Sequence, residues 1–242
     1  MNPCTVPVPA EDRDGDQRWM SIHYRFLSET REKDPDVIFI GDSILQALQH
    51  TDYWNELFAP LHCLNFGIHW DQIQNVLWRI KNGELDNVQP KVRILLRFNL
   101  VVVCNFLKVI VLHVGTNNYL NTPEQIIEGI VEIINTIRDK QPEVYIVVPT
   151  LLPRGHAPNP LRDRISQVND ILKTKVATLH KVEVVEIDKG FVHVDGTISH
   201  HDMYDYLLLT NAGSKKAFEP VHELLVQLLN EGETEKDLTP SE

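Results

Sequence analysis

Gly41-Asp42-Ser43 closes the apolar run Val37-Ile38-Phe39-Ile40, so a serine hydroxyl stands where a buried strand gives way to a turn. A serine is a poor nucleophile until a neighbouring base takes its proton, and it needs donors for the oxyanion that forms on attack. Alone the tripeptide says little, because a serine after aspartate is more often a helix cap or turn residue. Three further polar blocks give it company. Asn65-Phe66-Gly67-Ile68-His69-Trp70-Asp71 follows the second apolar run, Gly115-Thr116-Asn117-Asn118 the third, and Asp202-Met203-Tyr204-Asp205 precedes the last helical stretch. In an open parallel sheet these places share one carboxyl-terminal rim, where ligands bind.

Positioning that rim requires strands that alternate with helices. Short apolar runs recur at Val37 to Ile40, Leu61 to Phe66, Val109 to Val114, Val144 to Val148 and Val182 to Ile187, each followed by an amphipathic stretch. Continuous Val/Ile/Leu runs mark strands buried on both faces, so the expected fold is α/β with a central parallel five-stranded sheet between helical layers, a three-layer α/β/α sandwich. Asn121-Thr122-Pro123-Glu124 reads as a helix start, with a polar cap, a proline in the first turn and an acid at the N-terminus. Ile126, Ile127, Ile130, Ile133, Ile134 and Ile137 form its buried stripe. A final helix is expected after Asn211-Ala212-Gly213, with Val221, Leu224, Leu225, Leu228 and Leu229 facing inward.

The expected organisation is a solvated arm over 1–16, one domain over 17–230 and an acidic, fraying tail over 231–242. The arm has no basic region followed by an apolar one, so it does not read as a secretory signal. A length of 242 residues with 43% apolar and 24% charged residues suits one soluble domain with a sizeable core. The formal charge of −11 argues against binding a phosphate backbone, so nucleic acid is not an expected ligand. Cys4, Cys63 and Cys104 are scattered, which reads as reduced thiols in a cytoplasmic protein. The histidines have no metal-ligand spacing, and there is no P-loop or dinucleotide-binding glycine pattern, so no metal or cofactor is expected. Trp19, Trp54, Trp70 and Trp78 read as core or interface aromatics. Arg154, in Leu151-Leu152-Pro153-Arg154-Gly155, could hold an anion, although bracing a loop is the commoner use of such a residue.

One segment breaks the rhythm. Val92 to Lys108 is mostly apolar and runs into the third strand, yet Arg93, Arg97, Asn99, Asn105, Lys108 and His113 interrupt it. A central charge costs roughly 2.5 to 3.5 kcal/mol on insertion scales, so no membrane span is expected. Two readings compete for this atypical insertion at 92–108: a segment covered by the fold or a partner, or non-coding sequence retained in the predicted chain. The second is preferred, because an exposed stretch of this kind is an aggregation hazard.

With these blocks together, the chain resembles the SGNH (GDSL-like) hydrolases, a flavodoxin-like fold. Within them it is similar to the catalytic subunits of the type Ib platelet-activating factor acetylhydrolases. The likeness runs from about Asp16 to Leu229, through Gly15-Asp16-Gln17-Arg18-Trp19-Met20-Ser21, Val76-Leu77-Trp78-Arg79, Lys81-Asn82-Gly83-Glu84-Leu85 and Ser199-His200-His201-Asp202-Met203-Tyr204-Asp205-Tyr206. The segment 92–108 has no counterpart in that pattern. The resemblance implies Ser43 as nucleophile and Asp205 as the carboxylate that orients a base, but the base position three residues on is Leu208, which cannot accept a proton. It implies oxyanion donors from the Ser43 N–H, the Asn117 side chain and a glycine N–H, and the glycine position is Trp70. A glycine at such a turn often needs positive φ or close ligand approach, both costly for tryptophan, and the indole could also fill the acyl pocket. Ile44, Thr116 and Leu207 match the small acyl pocket.

Loss of the base of a serine triad costs on the order of 10⁶ in turnover. His69, His113, His200 and His201 are candidate substitutes, and His69 is the sharpest because it is new on the rim; a base must reach Ser43 and be oriented by a carboxylate. Two readings follow. The first is a catalytically silent homologue that forms a homodimer or heterodimer with a related subunit and binds the WD-repeat lissencephaly protein, partners that the resemblance implies. The second is a weak or altered serine esterase that removes the sn-2 acetyl group of platelet-activating factor-like phospholipids. The joint loss at Leu208 and Trp70 favours the first.

Overall fold

The computed structural model describes residues 1–88, 91–95, 100–104 and 107–237, with side chains described over 1–88 and 107–231. Its strands are β1 (Val37–Gly41), β2 (Cys63–Gly67), β3 (Lys91–Leu95), β4 (Leu100–Cys104), β5 (Val109–His113), β6 (Tyr145–Pro149) and β7 (Val182–Val185). Five of them form one all-parallel sheet in the order β2-β1-β5-β6-β7. Strand order reverses about β1, which makes the crevice between the ends of β1 and β5 the expected binding position. The register brings Gly41 level with Gly67 on one side and His113 on the other, so the first three polar blocks leave the sheet at the same height.

Side chains alternate across the sheet and build two cores. Ile38, Ile40, Ile110, Leu112, Ile146 and Val148 face α1 (Arg18–Glu32), α3 (Ile73–Arg79), α4 (Pro123–Lys140) and α5 (Pro160–Lys175). Val37, Phe39, Val109, Val111 and Val147 face α2 (Ser43–Leu48) and α6 (Asn211–Asp237). The result is the three-layer α/β/α arrangement expected from the alternating runs. The start of α4 follows its local signal: Thr122 Oγ1 accepts the Gln125 N–H, the Gln125 side chain accepts the Thr122 N–H, and Pro123 occupies the first turn.

Three segments differ from the expected organisation. Residues 2–8, expected to be solvated, lie against α3 and α4: Cys4 is buried, Asn2 Nδ2 donates to the Gln125 carbonyl at 2.9 Å, and Asn75 Nδ2 donates to the Val8 carbonyl at 3.1 Å. At the other end, α6 continues to Asp237, past the point where the tail was expected to fray. In the atypical segment, β3 and β4 pair antiparallel, with Lys91 opposite Cys104 and Leu95 opposite Leu100, as a two-stranded sheet of their own ahead of β5. Arg97, Asn99 and Asn105 lie outside the described residues, and nothing is described of the Arg93 side chain. No helix among the described residues is long and apolar enough to cross a membrane.

Candidate active site

Ser43 opens α2, and Asp42 caps it by accepting the Ile44 N–H on Oδ1 at 3.0 Å. The serine is only 5% exposed, and its hydroxyl has no hydrogen-bond partner among the described residues. Gly67 lies so close to this turn that a Cβ there would meet the backbone N of Gln46 and, at 2.8 Å, the carbonyl oxygen of Asp42. The second block is therefore pressed against the nucleophile turn by backbone contact.

Asn117 is buried and donates one amide hydrogen from Nδ2 to the Asp71 carbonyl at 2.9 Å, while its own carbonyl accepts from Gln72 Nε2 at 2.9 Å. The primary amide carries a second N–H, the kind of group that stabilises an oxyanion. Asn118 works in the opposite direction. Its Oδ1 accepts the Ile73 N–H at 3.0 Å and its Nδ2 donates to Gln74 and Cys4, tying the third block to α3 and to the N-terminal segment.

Trp70 has φ of 63°, the left-handed conformation expected of a position where a glycine would be at ease. The indole departs from expectation: it is 59% exposed and stands edge-on to the His69 ring at the surface, so it does not fill an acyl pocket. The candidate pocket residues differ in burial. Ile44 is buried in the core beneath Ser43, Thr116 is buried and accepts from Arg154, and Leu207 is half-buried.

Asp205 is exposed, and its Oδ1 accepts the backbone N–H groups of Leu207 at 3.0 Å and Leu208 at 2.6 Å. The Leu208 side chain packs with the core under α6. None of the candidate histidines is hydrogen-bonded to Ser43. His69 is exposed on the rim, and partial burial and Arg18 hold its pKa below the usual value, with no carboxylate bonded to it among the described residues. His113 is buried with neither ring nitrogen hydrogen-bonded, and burial pulls its pKa down to about 4. The His200 and His201 rings lie 4.1 Å apart, tilted by 36° to one another.

Below the rim lies a charged network that the sequence reading missed. The fully buried Arg79 donates from Nε to Asp71 at 2.9 Å, from Nη1 to Glu84 at 2.7 Å, and from Nη2 to the carbonyls of Gly41 and Phe66, each at 3.1 Å. One guanidinium thus clasps the ends of β1 and β2 immediately before the turns that carry Ser43 and Trp70. His23 Nδ1 meets the other Glu84 oxygen at 2.9 Å, and Trp19 Nε1 donates to the other Asp71 oxygen at 2.6 Å. The sequence offers only a slight hint: Arg79 sits among Val76, Leu77 and Ile80, but an arginine on such a helix usually keeps its head in water, and only the fold shows it buried with two carboxylates.

Burial pushes the Asp42 carboxyl up to about 7, and Asp71 adds to the rise; the Ile44 N–H and Arg154 oppose it. Burial pushes Asp71 to about 7 as well, against the pull of Arg79. Because both Asp71 oxygens accept from N–H groups that carry their own protons, we assign Asp71 the ionised form and the neutral-leaning one to Asp42, whose Oδ2 has no partner. Arg154 donates from Nη1 to the Thr116 carbonyl at 3.0 Å, and burial lowers its pKa while Asp42 and Asp205 raise it. Among the described residues no group of three or more His, Cys, Asp or Glu is placed to hold a metal ion.

The sequence pattern of the GDSL-like lipase/acylhydrolase family matches residues 39–216. The chain is 53% identical over 242 residues, all of both chains, to a platelet-activating factor acetylhydrolase IB subunit beta homolog from Drosophila melanogaster. It is 48% identical over 238 residues to a platelet-activating factor acetylhydrolase IB subunit alpha2 from Homo sapiens, covering 98% of this chain and 96% of that one. A GDSL-like lipase from Bacteroides thetaiotaomicron shares the fold with a TM-score of 0.67 at 14% identity, covering 85% of this chain and 97% of that one. The five-stranded parallel sheet agrees with sequence identity along the whole chain, and the chain belongs to the GDSL-like lipase/acylhydrolase family, among homologues of the platelet-activating factor acetylhydrolase IB subunits.

Proposed function

We propose that this chain is a catalytically silent member of its family that acts in the cytoplasm as a binding subunit. In this reading it pairs with itself or a related subunit and binds the WD-repeat lissencephaly protein. The observation that carries the reading is the state of the Asp205 loop. The carboxylate that would orient a base accepts from its own loop's backbone, the base position is a half-buried leucine packed against the core, and the Ser43 hydroxyl has no basic partner among the described residues. Half-buried and buried free thiols, Cys63 and Cys4, support a reducing compartment. Labelling of the purified chain by a fluorophosphonate, abolished by Ser43→Ala, would contradict silence. Light scattering with and without the WD-repeat protein tests the binding role, and an unchanged mass in the mixture would remove it.

A second reading rests on Asn117, whose amide has a second N–H beyond the one given to Asp71 and could serve as an oxyanion donor. On that reading the chain is a weak or altered esterase of platelet-activating factor-like lipids. The same fluorophosphonate labelling separates the two.

A further inference from the structure

We propose that residues 2–8 form a clamp on the rim: seated, they hold the 115–121 loop that carries Asn117, and on release they and that loop open as one local unit that exposes the Cys4 thiol. No step at Ser43 is involved, so the clamp stands or falls separately from the silence of the serine.

The seat is narrow. Cys4 is the only buried residue of the segment, whereas Val6 and Val8 stay 36% and 43% exposed. Gly129 of α4 makes room for it: a Cβ there would meet Cys4 Cβ at 2.6 Å and the Cys4 carbonyl oxygen at 3.0 Å. Asn2 supplies the polar anchor. Its Oδ1 accepts the Cys4 N–H at 2.9 Å, and its Nδ2 donates at 2.9 Å both to the Gln125 carbonyl and to Glu128 Oε2. A segment that buries one small side chain has little apolar area to lose, so it opens at a fraction of the cost of unfolding the domain. While seated, Cys4 is inert. Burial pushes its pKa up to about 11, against the pull of the Asn118 hydrogen bond and with Glu128 adding to the rise.

The same segment is bonded into the rim. Asn118 Nδ2 faces Cys4 Sγ at 3.5 Å and Gln74 Oε1 at 3.0 Å, and the Gln74 carbonyl accepts the Val8 N–H at 3.2 Å. Gln74 Nε2 donates to Gln72 Oε1 at 2.6 Å, and Gln72 Nε2 donates to the Asn117 carbonyl at 2.9 Å. Asn75 closes the set: its Nδ2 donates to the Val8 carbonyl at 3.1 Å while its Oδ1 accepts the Gln72 N–H at 2.9 Å. Departure of the segment therefore strips partners from Asn118, Gln74 and Asn75 together. Water can replace those bonds but not the fixed orientation they impose. Contiguity alone is not coupling, so the two ends have to be measured together.

The test uses the full chain and two readouts: alkylation of Cys4 by iodoacetamide, located by peptide mapping, and hydrogen exchange of the 115–121 amides. Asn2→Ala cuts the anchoring bonds to α4 and alters no residue of the loop. Cys4 alkylation and loop exchange are both expected to rise by about threefold or more, as loss of hydrogen bonds of this kind implies. Exchange in β5 should not change, because a central strand opens only with the whole domain. Gly129→Ala releases the segment by a different route, the clash at Cys4, and is expected to move the same two readouts. Faster alkylation with unchanged exchange at 115–121 overturns the proposal, as does a rise in β5 equal to that in the loop. Unchanged alkylation in both variants overturns it as well, because the segment is then not held by these contacts.

Discussion

Asp205 accepts the backbone N–H of Leu208 at 2.6 Å, so the carboxylate and the residue in the base position are joined through the main chain and not through side chains. The bond to the Leu207 N–H at 3.0 Å completes an aspartate turn that holds the loop without any base. The loop is thus held by its own backbone, with a leucine at the position that the proposed reading assigns to the base. It follows that the loop is ready to receive a histidine without being rebuilt.

Leu208→His is accordingly predicted to create or raise ester hydrolysis. A positioned general base contributes roughly 10²- to 10⁴-fold, and Asp205 retains an oxygen to orient the ring. Turnover of a chromogenic acetyl ester, compared with Leu208→His/Ser43→Ala, measures the gain. No gain at all would place the lesion outside the base position, with Trp70 the next suspect.

Trp70→Gly is predicted to leave stability within about 1 kcal/mol of the native value. The change relieves a left-handed backbone that costs a non-glycine residue roughly 1 to 2 kcal/mol, while glycine adds unfolded-state entropy that offsets it. Little burial is lost, because the indole is 59% exposed. Combined with Leu208→His, the same change should add to hydrolysis by opening the oxyanion turn. A large loss of stability in denaturant unfolding would mean that the indole supports the fold in a way its exposure does not reveal.

Arg79→Leu is predicted to destabilise the chain by roughly 3 to 5 kcal/mol, the cost of leaving buried charges without their partner. Asp71 and Glu84 would keep their burial and lose the guanidinium, and the carbonyls of Gly41 and Phe66 would lose a donor. Denaturant unfolding checks the magnitude. A loss below about 1 kcal/mol would show that water or His23 can take over the network.

The strands and α4 were legible in the sequence because their signals are local: unbroken Val/Ile runs for the sheet, and Thr122-Pro123 with an isoleucine stripe for the helix. The places of Ser43 and Asn117 beyond the ends of β1 and β5 are legible because each follows such a run. What was missed is held by contacts distant in the chain. Asn2 reaches Gln125 and Cys4 meets Asn118, and nothing near Asn2 or Cys4 in sequence announces a partner. In the sequence Arg79 is only one residue of the Val76-Leu77-Trp78-Arg79 block, since its role appears only when Gly41, Phe66, Asp71 and Glu84 converge. The Trp70 backbone was foreseen from the glycine it replaces, but the direction of its indole depends on the surface around it.

The segment from Val92 to Lys108 is predicted to be absent from the mature protein. The described backbone gives it a separate antiparallel pair that adds no strand to the main sheet, and β5 begins directly after it. Sequencing mature transcripts across the junctions at Val92 and Lys108 decides the matter; reads that retain the segment in frame would refute the prediction. A chain lacking 92–108 should then fold with the same five-stranded sheet.

Gly129→Ala is predicted to unseat the N-terminal segment. A Cβ there would lie 2.6 Å from Cys4 Cβ and 2.7 Å from Ile73 Cγ2, closer than carbon atoms can approach. Overpacking of this kind costs roughly 1 to 3 kcal/mol, and the cheapest relief is to release residues 2–8. Faster hydrogen exchange or proteolysis at those residues is the expected result, and unchanged protection would mean that α4 yields instead.

Asp42 and His113 are predicted to give stability opposite dependences on pH. The folded Asp42 pKa of about 7 lies above its ordinary 3.8, so the folded state holds a proton that the unfolded state has released; its contribution is full below pH 4 and lost as pH rises to 7. The folded His113 pKa of about 4 lies below its ordinary 6.5, so the unfolded state holds the extra proton; its contribution is full above pH 6.5 and lost as pH falls to 4. Each slope approaches about 1.4 kcal/mol per pH unit, and between pH 4 and 6.5 the two offset one another. Single variants separate them. Relative to the native chain, Asp42→Asn should gain stability as pH rises from 4 to 7, whereas His113→Leu should lose it as pH rises from 4 to 6.5. Denaturant unfolding at half-unit pH steps measures both differences, and parallel curves for either variant would mean that its residue does not titrate in that window.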